Sequence, residues 1–159
     1  MPKCIMLVGL PGVGKTTWLQ KNQSNMPDKI VSSDYYIEEA AKLFGTTYSE
    51  IFPHVIQFAE NAFNKHVETL AFNGNDFVID RTNLSPNSRS RVMSIVKKNK
   101  KDYKFEAIVF NPPDSRIHMD RLSSRHGKHI PIDVMENMRR IYRVPNNSEG
   151  FSEIRFMEI

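Results

Sequence analysis

The eight residues Gly9-Leu10-Pro11-Gly12-Val13-Gly14-Lys15-Thr16 constrain this chain more than any other feature. They follow a short apolar run, Lys3 to Val8, and match the spacing G-x-x-x-x-G-K-[ST] in full. That order predicts a buried strand, a tight glycine turn and a helix that continues from Thr16 to Asn22. Glycines let backbone N–H groups converge on one point, and the helix N-terminus adds the positive end of its dipole. The product is a cradle for phosphate oxygens, with Lys15 reaching the outer phosphates and the Thr16 hydroxyl suited to Mg²⁺.

The rest of the chain alternates in the same way. Short apolar runs at Lys29–Ser33, Phe77–Ile79, Phe105–Phe110 and Ser152–Met157 read as strands. Between them, helices are predicted from Tyr35, over Pro86–Lys98, Asp114–Arg125 and Pro131–Tyr142. Val55, Phe58, Ala59, Ala62, Phe63, Val67, Leu70 and Ala71 recur at three- and four-residue spacing, which predicts a long amphipathic helix. Thr47 with Glu50 suggests a capping box on a preceding turn, Pro53 suggests that the main helix restarts there, and Asn73-Gly74-Asn75 ends it. Strands alternating with helices call for an α/β fold of three layers, with a parallel sheet covered on both faces. No repeat or linker divides the chain, so one domain over 1–159 is expected. In such sheets ligands bind at the carboxyl ends of the strands, where Gly9 to Thr16, Asp34 and Asp80 to Asn83 all fall.

Composition narrows the class. With 40% hydrophobic and 25% charged residues, the chain is globular rather than disordered. No apolar stretch approaches the ~20 residues that cross a bilayer, and the N-terminal run is too short for a signal-peptide core. The single cysteine, Cys4, excludes an internal disulfide. A cytoplasmic location is expected on these grounds. The net charge of +4 hides an asymmetry: residues 81–143 carry 15 Lys or Arg against 6 Asp or Glu. Such a block suits a partner made of phosphates, although Lys97, Lys98, Lys100 and Lys101 taken alone read as a solvated helix end.

Three further residues carry candidate chemistry. Phosphoryl transfer to an alcohol needs a group that accepts the hydroxyl proton, and Asp34, directly after the second strand, is placed for it. An N-cap for the following helix is the competing role. Asp80 ends an apolar strand, where a carboxylate can position Mg²⁺ directly or through its waters; strand termination is the simpler alternative. Arg125 lies in a polar segment between two helices, a lid of about 121–131, from which an arginine can stabilise charge on a phosphoryl group in flight. His126 and His129 lack a third ligand, and His54, His66 and His118 have no partner pattern.

Together these segments resemble the P-loop polynucleotide 5′-hydroxyl kinases of phage and animal repair enzymes. The matching segments are Gly9 to Thr17 with Trp18, Ser33-Asp34, and Ile79-Asp80-Arg81-Thr82-Asn83-Leu84-Ser85-Pro86 with Arg89. They continue through Arg121 to Arg125, His129 to Val134 with Met138, Pro145 and Glu149-Gly150-Phe151. The resemblance implies an adenylate-kinase-like P-loop fold. It implies that ATP is held by Gly9, Gly12, Val13, Gly14, Lys15, Thr16 and Thr17 with Arg121 and Arg125, and Mg²⁺ by Thr16 with Asp80. Asp34 would be the base, and Asp80, Thr82 and Asn83 would line the acceptor side. Tyr35 and Tyr36 are placed to stack an acceptor base, or equally to pack the start of their helix.

Two departures bear on the acceptor. Phage polynucleotide kinases often carry an arginine three residues after the base, and here that position is Ile37. The Asp-x-Asp-Gly-Thr phosphatase motif often fused in the family is not in the sequence. The expected acceptor is a nucleic-acid hydroxyl, DNA or RNA, foremost a 5′-OH end. The alternatives are the hydroxymethyl group of a modified pyrimidine in phage DNA, a free nucleoside or other small molecule, and a nucleotide-dependent RNA-binding module. The last rests on the similar Asp-x-Thr-Asn loop of the heterogeneous nuclear ribonucleoprotein U family.

Overall fold

A computed structural model describes residues 1–157. Five strands form one parallel sheet: β1 (Lys3–Val8), β2 (Ile30–Val31), β3 (Phe77–Ile79), β4 (Lys104–Phe110) and β5 (Glu153–Met157). Their order across the sheet is β2-β3-β1-β4-β5, and every neighbouring pair is parallel. Six α-helices connect them: α1 (Lys15–Lys21), α2 (Ser33–Phe44), α3 (Tyr48–Phe72), α4 (Pro86–Asn99), α5 (Ser115–Ser123) and α6 (Ile132–Ile141). The expected three-layer α/β architecture is thus the observed one.

The period of two along β1 sorts the core. Cys4, Met6 and Val8 face one layer, packing with Phe63, Val67 and Leu70 of α3 and Val92, Met93 and Val96 of α4. Ile5 and Leu7 face the other, with Leu19 of α1 and Met135 of α6. Residues buried on both sides explain why β1 and β4 read as continuous apolar runs rather than alternating ones. Within β4 one polar residue breaks the run: Glu106 is buried, between Lys3 at 3.4 Å and Arg155 at 3.6 Å.

The main correction concerns α3. No restart occurs at Pro53; one 25-residue helix begins at Tyr48 and carries Pro53 inside its second turn. Pro53 cannot donate to the Ser49 carbonyl. The first turn is instead held from outside, because Ser49 N–H donates to the Gly127 carbonyl at 3.1 Å and the His129 N–H donates to the Ser49 hydroxyl at 2.8 Å. The capping box is half formed. Thr47 Oγ1 accepts from Glu50 N–H at 3.3 Å, while the Glu50 carboxylate takes the Thr46 hydroxyl rather than the Thr47 N–H. At the far end Gly74, at φ 68, stops the helix as expected.

Helix direction also relocates part of the basic block. α4 runs from the carboxyl end of β3 back to the amino end of β4, so Lys97, Lys98, Lys100, Lys101 and Lys104 lie at the sheet end opposite the glycine turn. They are exposed there, as a solvated helix end would be. No helix among the described residues is long and apolar enough to cross a membrane.

Candidate active site

The glycine turn between β1 and α1 folds as its sequence requires. Gly12 and Gly14 take φ of 78 and 97, conformations that L side chains rarely adopt. A Cβ on Gly12 would lie 2.9 Å from Leu122 Cδ2, so glycine is also what lets α5 close on the loop. Lys15 is buried, and its ammonium donates to the carbonyls of Gly9 and Leu10, each at 2.9 Å. Burial is the main cause that pulls its pKa down to about 8, with Asp80 opposing that effect and Arg125 adding to it.

The loop is tied down on two sides. Gly9 N–H donates to the Thr82 carbonyl at 3.0 Å, linking it to the segment after β3. His118 of α5 is buried, and its Nε2 donates to the Pro11 carbonyl at 2.7 Å. This histidine carries no sequence signal, and only the fold brings it to the loop.

Asp80 follows β3 and accepts the Thr16 hydroxyl at 3.1 Å on Oδ2. Burial raises its pKa above the ordinary carboxylate value despite Thr16 and Lys15 nearby. A hydroxyl and a carboxylate side by side at the loop are the hard oxygen donors that Mg²⁺ takes when phosphates complete its shell. Among the described residues no group of three or more His, Cys, Asp or Glu makes a metal site by itself.

Asp34 is not a cap. Ser32 is the N-cap of α2, and Asp34 stands in the first turn with its carboxylate in the site. Its Oδ1 accepts the Tyr48 hydroxyl at 2.6 Å and its Oδ2 accepts Lys128 Nζ at 2.8 Å. Burial alone would raise its pKa, but Lys128, the Tyr48 hydroxyl and Arg125 together hold it below the ordinary carboxylate range. Tyr48 and Lys128 were not singled out in the sequence. An aromatic at a helix start and a lysine among several in a polar segment carry no pattern of their own.

Of the segment expected as a lid, about 121–131, residues 121–123 finish α5 and 124–131 join α5 to α6, bonded to the beginning of α3 through Ser49. Arg125 comes with it, and its Nη1 is buried without a hydrogen-bond partner. A buried cationic donor with nothing to bind, beside Lys15 and Asp34, is chemically matched to an anion. Arg121 stands one turn earlier, on α5.

The expected acceptor residues divide. Asn83 is buried, at a left-handed φ of 47, and its amide donates to the Leu7 carbonyl at 2.7 Å. Its amide therefore holds the loop against β1, and Asn83 also lines the cleft between α3 and α4 that Thr82 lines. Behind it Arg89, fully buried, donates to the Asn83 carbonyl at 2.8 Å and forks onto Glu149 at 2.7 and 2.8 Å. Thr82 lines a cleft of about 90 Å³ between α3 and α4, shared with Asn64, Arg81, Ser88 and Arg91. Tyr35 is exposed and packs edge-on against Tyr36, whose hydroxyl lies 3.4 Å from His66 Nδ1. Ile37 is fully buried, so position 37 points into the core.

Known proteins agree with this architecture. A candidate kinase from Chloroflexus aurantiacus superposes over 99% of this chain and 85% of its own, with a TM-score of 0.73 at 19% identity. A sugar kinase from Janibacter covers 99% and 86%, at a TM-score of 0.62 and 15% identity. The structure of the Pnkp1/Rnl/Hen1 RNA repair complex covers 86% of this chain and 42% of that one, at a TM-score of 0.63 and 24% identity. At these identities the likeness is one of fold. Human heterogeneous nuclear ribonucleoprotein U-like protein 2 is 22% identical over 98% of this chain, which spans only 21% of that protein. The family model described as an AAA domain, AAA_33, matches residues 4–145, and the chain belongs to that family of P-loop domains.

Proposed function

We propose that the chain is an ATP-dependent phosphotransferase that moves the γ-phosphoryl group to a nucleic-acid hydroxyl, foremost a polynucleotide 5′-OH. The observation that carries this reading is the position of Asp34, a carboxylate freed from capping, beside the phosphate loop and below the lid. A binding module needs the loop but has no use for such a carboxylate.

The steps follow from the geometry. The N–H groups of the loop, Lys15 and Arg125 bind the triphosphate and draw charge from the γ-phosphoryl oxygens as they become more negative. Magnesium held by Thr16 and Asp80 would supply further charge neutralisation there. Asp34 orients the acceptor hydroxyl and takes its proton as the oxygen attacks phosphorus; the bond to the β–γ bridging oxygen breaks and ADP leaves. A depressed carboxyl pKa keeps Asp34 ionised, and so able to accept, across neutral pH.

Support for a nucleic-acid acceptor comes from cations on the site side of the sheet: among the described residues Arg91, Arg121 and Arg125 have no carboxylate partner, whereas Arg81 is paired with Glu60 and Lys128 with Asp34. The lysines at the far end of α4 do not contribute. A second reading, a small or uncharged acceptor such as a nucleoside, sugar or hydroxymethyl base, is favoured by the burial of Ile37, which leaves that position without a cation for an acceptor phosphate.

The test is γ-labelled ATP offered with 5′-OH DNA, 5′-OH RNA, hydroxymethyl-pyrimidine duplex with blocked ends, free nucleosides and simple sugars. Label on a 5′ end, with acceptor affinity falling as salt rises by a log–log slope near −0.7 per phosphate neutralised, is the expected result. Efficient labelling of a nucleoside or sugar with no salt dependence would replace it with the second reading.

A further inference from the structure

Position 37 gives an acceptor no cation, because Ile37 is fully buried. A cation stands instead in the cleft of about 90 Å³ between α3 and α4. That is the volume of roughly three waters, far below the ~300 Å³ at which pockets begin to enclose a drug-sized ligand. The cleft suits one small polar group rather than a nucleoside. Arg81 donates to the Glu60 carboxylate at 2.7 Å and lies 4.5 Å from the Phe63 ring centroid, so the charges of Arg81 and Glu60 compensate each other. Arg91 lines the same cleft and has no carboxylate partner among the described residues. Glu60, Arg81 and Arg91 therefore leave one positive charge.

Two neutral donors accompany that charge. The Asn64 amide and the Thr82 hydroxyl line the cleft and make no side-chain hydrogen bond among the described residues. The Ser88 hydroxyl, by contrast, is taken by the Ser85 carbonyl at 2.8 Å. A guanidinium, an amide and a hydroxyl around a space of this size match the oxygens of one phosphate group. The cleft is also continuous with the site. Thr82 lines it while its carbonyl accepts the Gly9 N–H of the phosphate loop at 3.0 Å, and Asp80, two residues earlier, accepts the Thr16 hydroxyl at 3.1 Å. Asp34, Tyr48 and Lys128 do not line it, so a phosphate seated there lies along the strand, away from the reacting hydroxyl.

We propose that this cleft is a subsite for a backbone phosphate of the acceptor strand, and that Arg91 is its specificity-determining residue, with Asn64 and Thr82 as neutral donors. This rests on the reading of the acceptor as a polynucleotide 5′-OH. Contacts made there, remote from the reacting oxygen, are the same in the bound strand and in the transition state, so they lower KM and leave kcat unchanged. A nucleoside has no phosphate to place in the cleft and gains nothing from it.

The experiment measures transfer from magnesium-ATP to 5′-OH hexanucleotides of DNA and RNA, and to free nucleosides, by the full chain and its variants over a range of salt. Arg91→Gln is expected to raise hexanucleotide KM about tenfold at unchanged kcat, the scale of one charge-assisted hydrogen bond. It should also flatten the log–log salt slope by about 0.7, the share of one single-strand phosphate. Arg91→Lys should keep the slope, and Asn64→Ala should raise KM without changing the slope, because it removes a neutral donor. Lys98→Gln removes the same charge from the exposed far end of α4 and should leave KM and slope at wild-type values. Equal KM and slope in wild type and Arg91→Gln overturn the subsite and leave transfer to a 5′-OH intact. An effect of Lys98→Gln as large as that of Arg91→Gln overturns it too, since diffuse charge then accounts for both. Label on nucleosides alone removes the polynucleotide acceptor, and the subsite falls with it.

Discussion

His118 Nε2 donates to the Pro11 carbonyl across 2.7 Å, joining α5 to the middle of the phosphate loop over 107 residues of chain. The bond fixes the direction of the Pro11 carbonyl and ties the loop to α5. His118→Leu keeps the volume and leaves the buried carbonyl unpaired. A loss of about 1–3 kcal/mol in stability is expected, together with roughly tenfold weaker ADP binding from the loosened loop. Calorimetric titration and urea unfolding check both. Unchanged ADP affinity with lowered stability would reduce His118 to a packing residue.

Arg89 and Glu149 form the second internal support, behind Asn83. Arg89→Met strands Glu149, which is 12% exposed, beside an unpaired Asn83 carbonyl. A cost of about 3–5 kcal/mol is expected, since breaking a buried pair leaves one uncompensated charge. Arg89→Met with Glu149→Gln should recover part of it. Urea midpoints decide the point, and additive losses in the double variant would mean that the two side chains do not act as a pair.

Lys15 gives a pH signature of its own. Its folded pKa of about 8 lies below the unfolded value, so in the free protein it loses its proton through that range. Phosphates favour the charged form, so binding above that pH must bring a proton back. ADP affinity without magnesium should therefore fall as pH rises from 8 to 10. Binding at pH 9 should take up close to one proton, read from titration heats in buffers of different ionisation enthalpy. Zero uptake at pH 9 would place Lys15 away from the phosphates.

What the sequence could express was local. The phosphate loop is contiguous and conformationally specific, and the buried strands announce themselves by unbroken apolar runs, so the sheet and the first site element were legible. Asp34 was placed by its position after a strand, although only the structure shows Ser32 taking the cap. Three residues that work through long-range contacts carried no pattern of their own. His118, Tyr48 and Lys128 are ordinary until α5, α3 and the lid meet. Pro53 misled because the first turn of α3 is held by the lid, a tertiary contact that overrides a local breaker. The bond from the Asn83 amide back to Leu7 of β1 is a contact that its motif does not announce. The α4 lysines entered the charge count, but the direction of their helix takes them to the wrong end of the sheet.

The assignment of Asp34 as the group that takes the proton of an acceptor hydroxyl is tested by single-turnover transfer from magnesium-ATP to a 5′-OH single-stranded oligonucleotide, by wild type and Asp34→Asn. Asparagine keeps the size and can still accept from Tyr48, so the variant should fold and bind nucleotide normally. The expected result is a loss of about 10²–10⁴ in the rate of label transfer at unchanged ADP affinity. A variant that transfers label at the wild-type rate would contradict the claim and leave Asp34 as a structural partner of Tyr48 and Lys128.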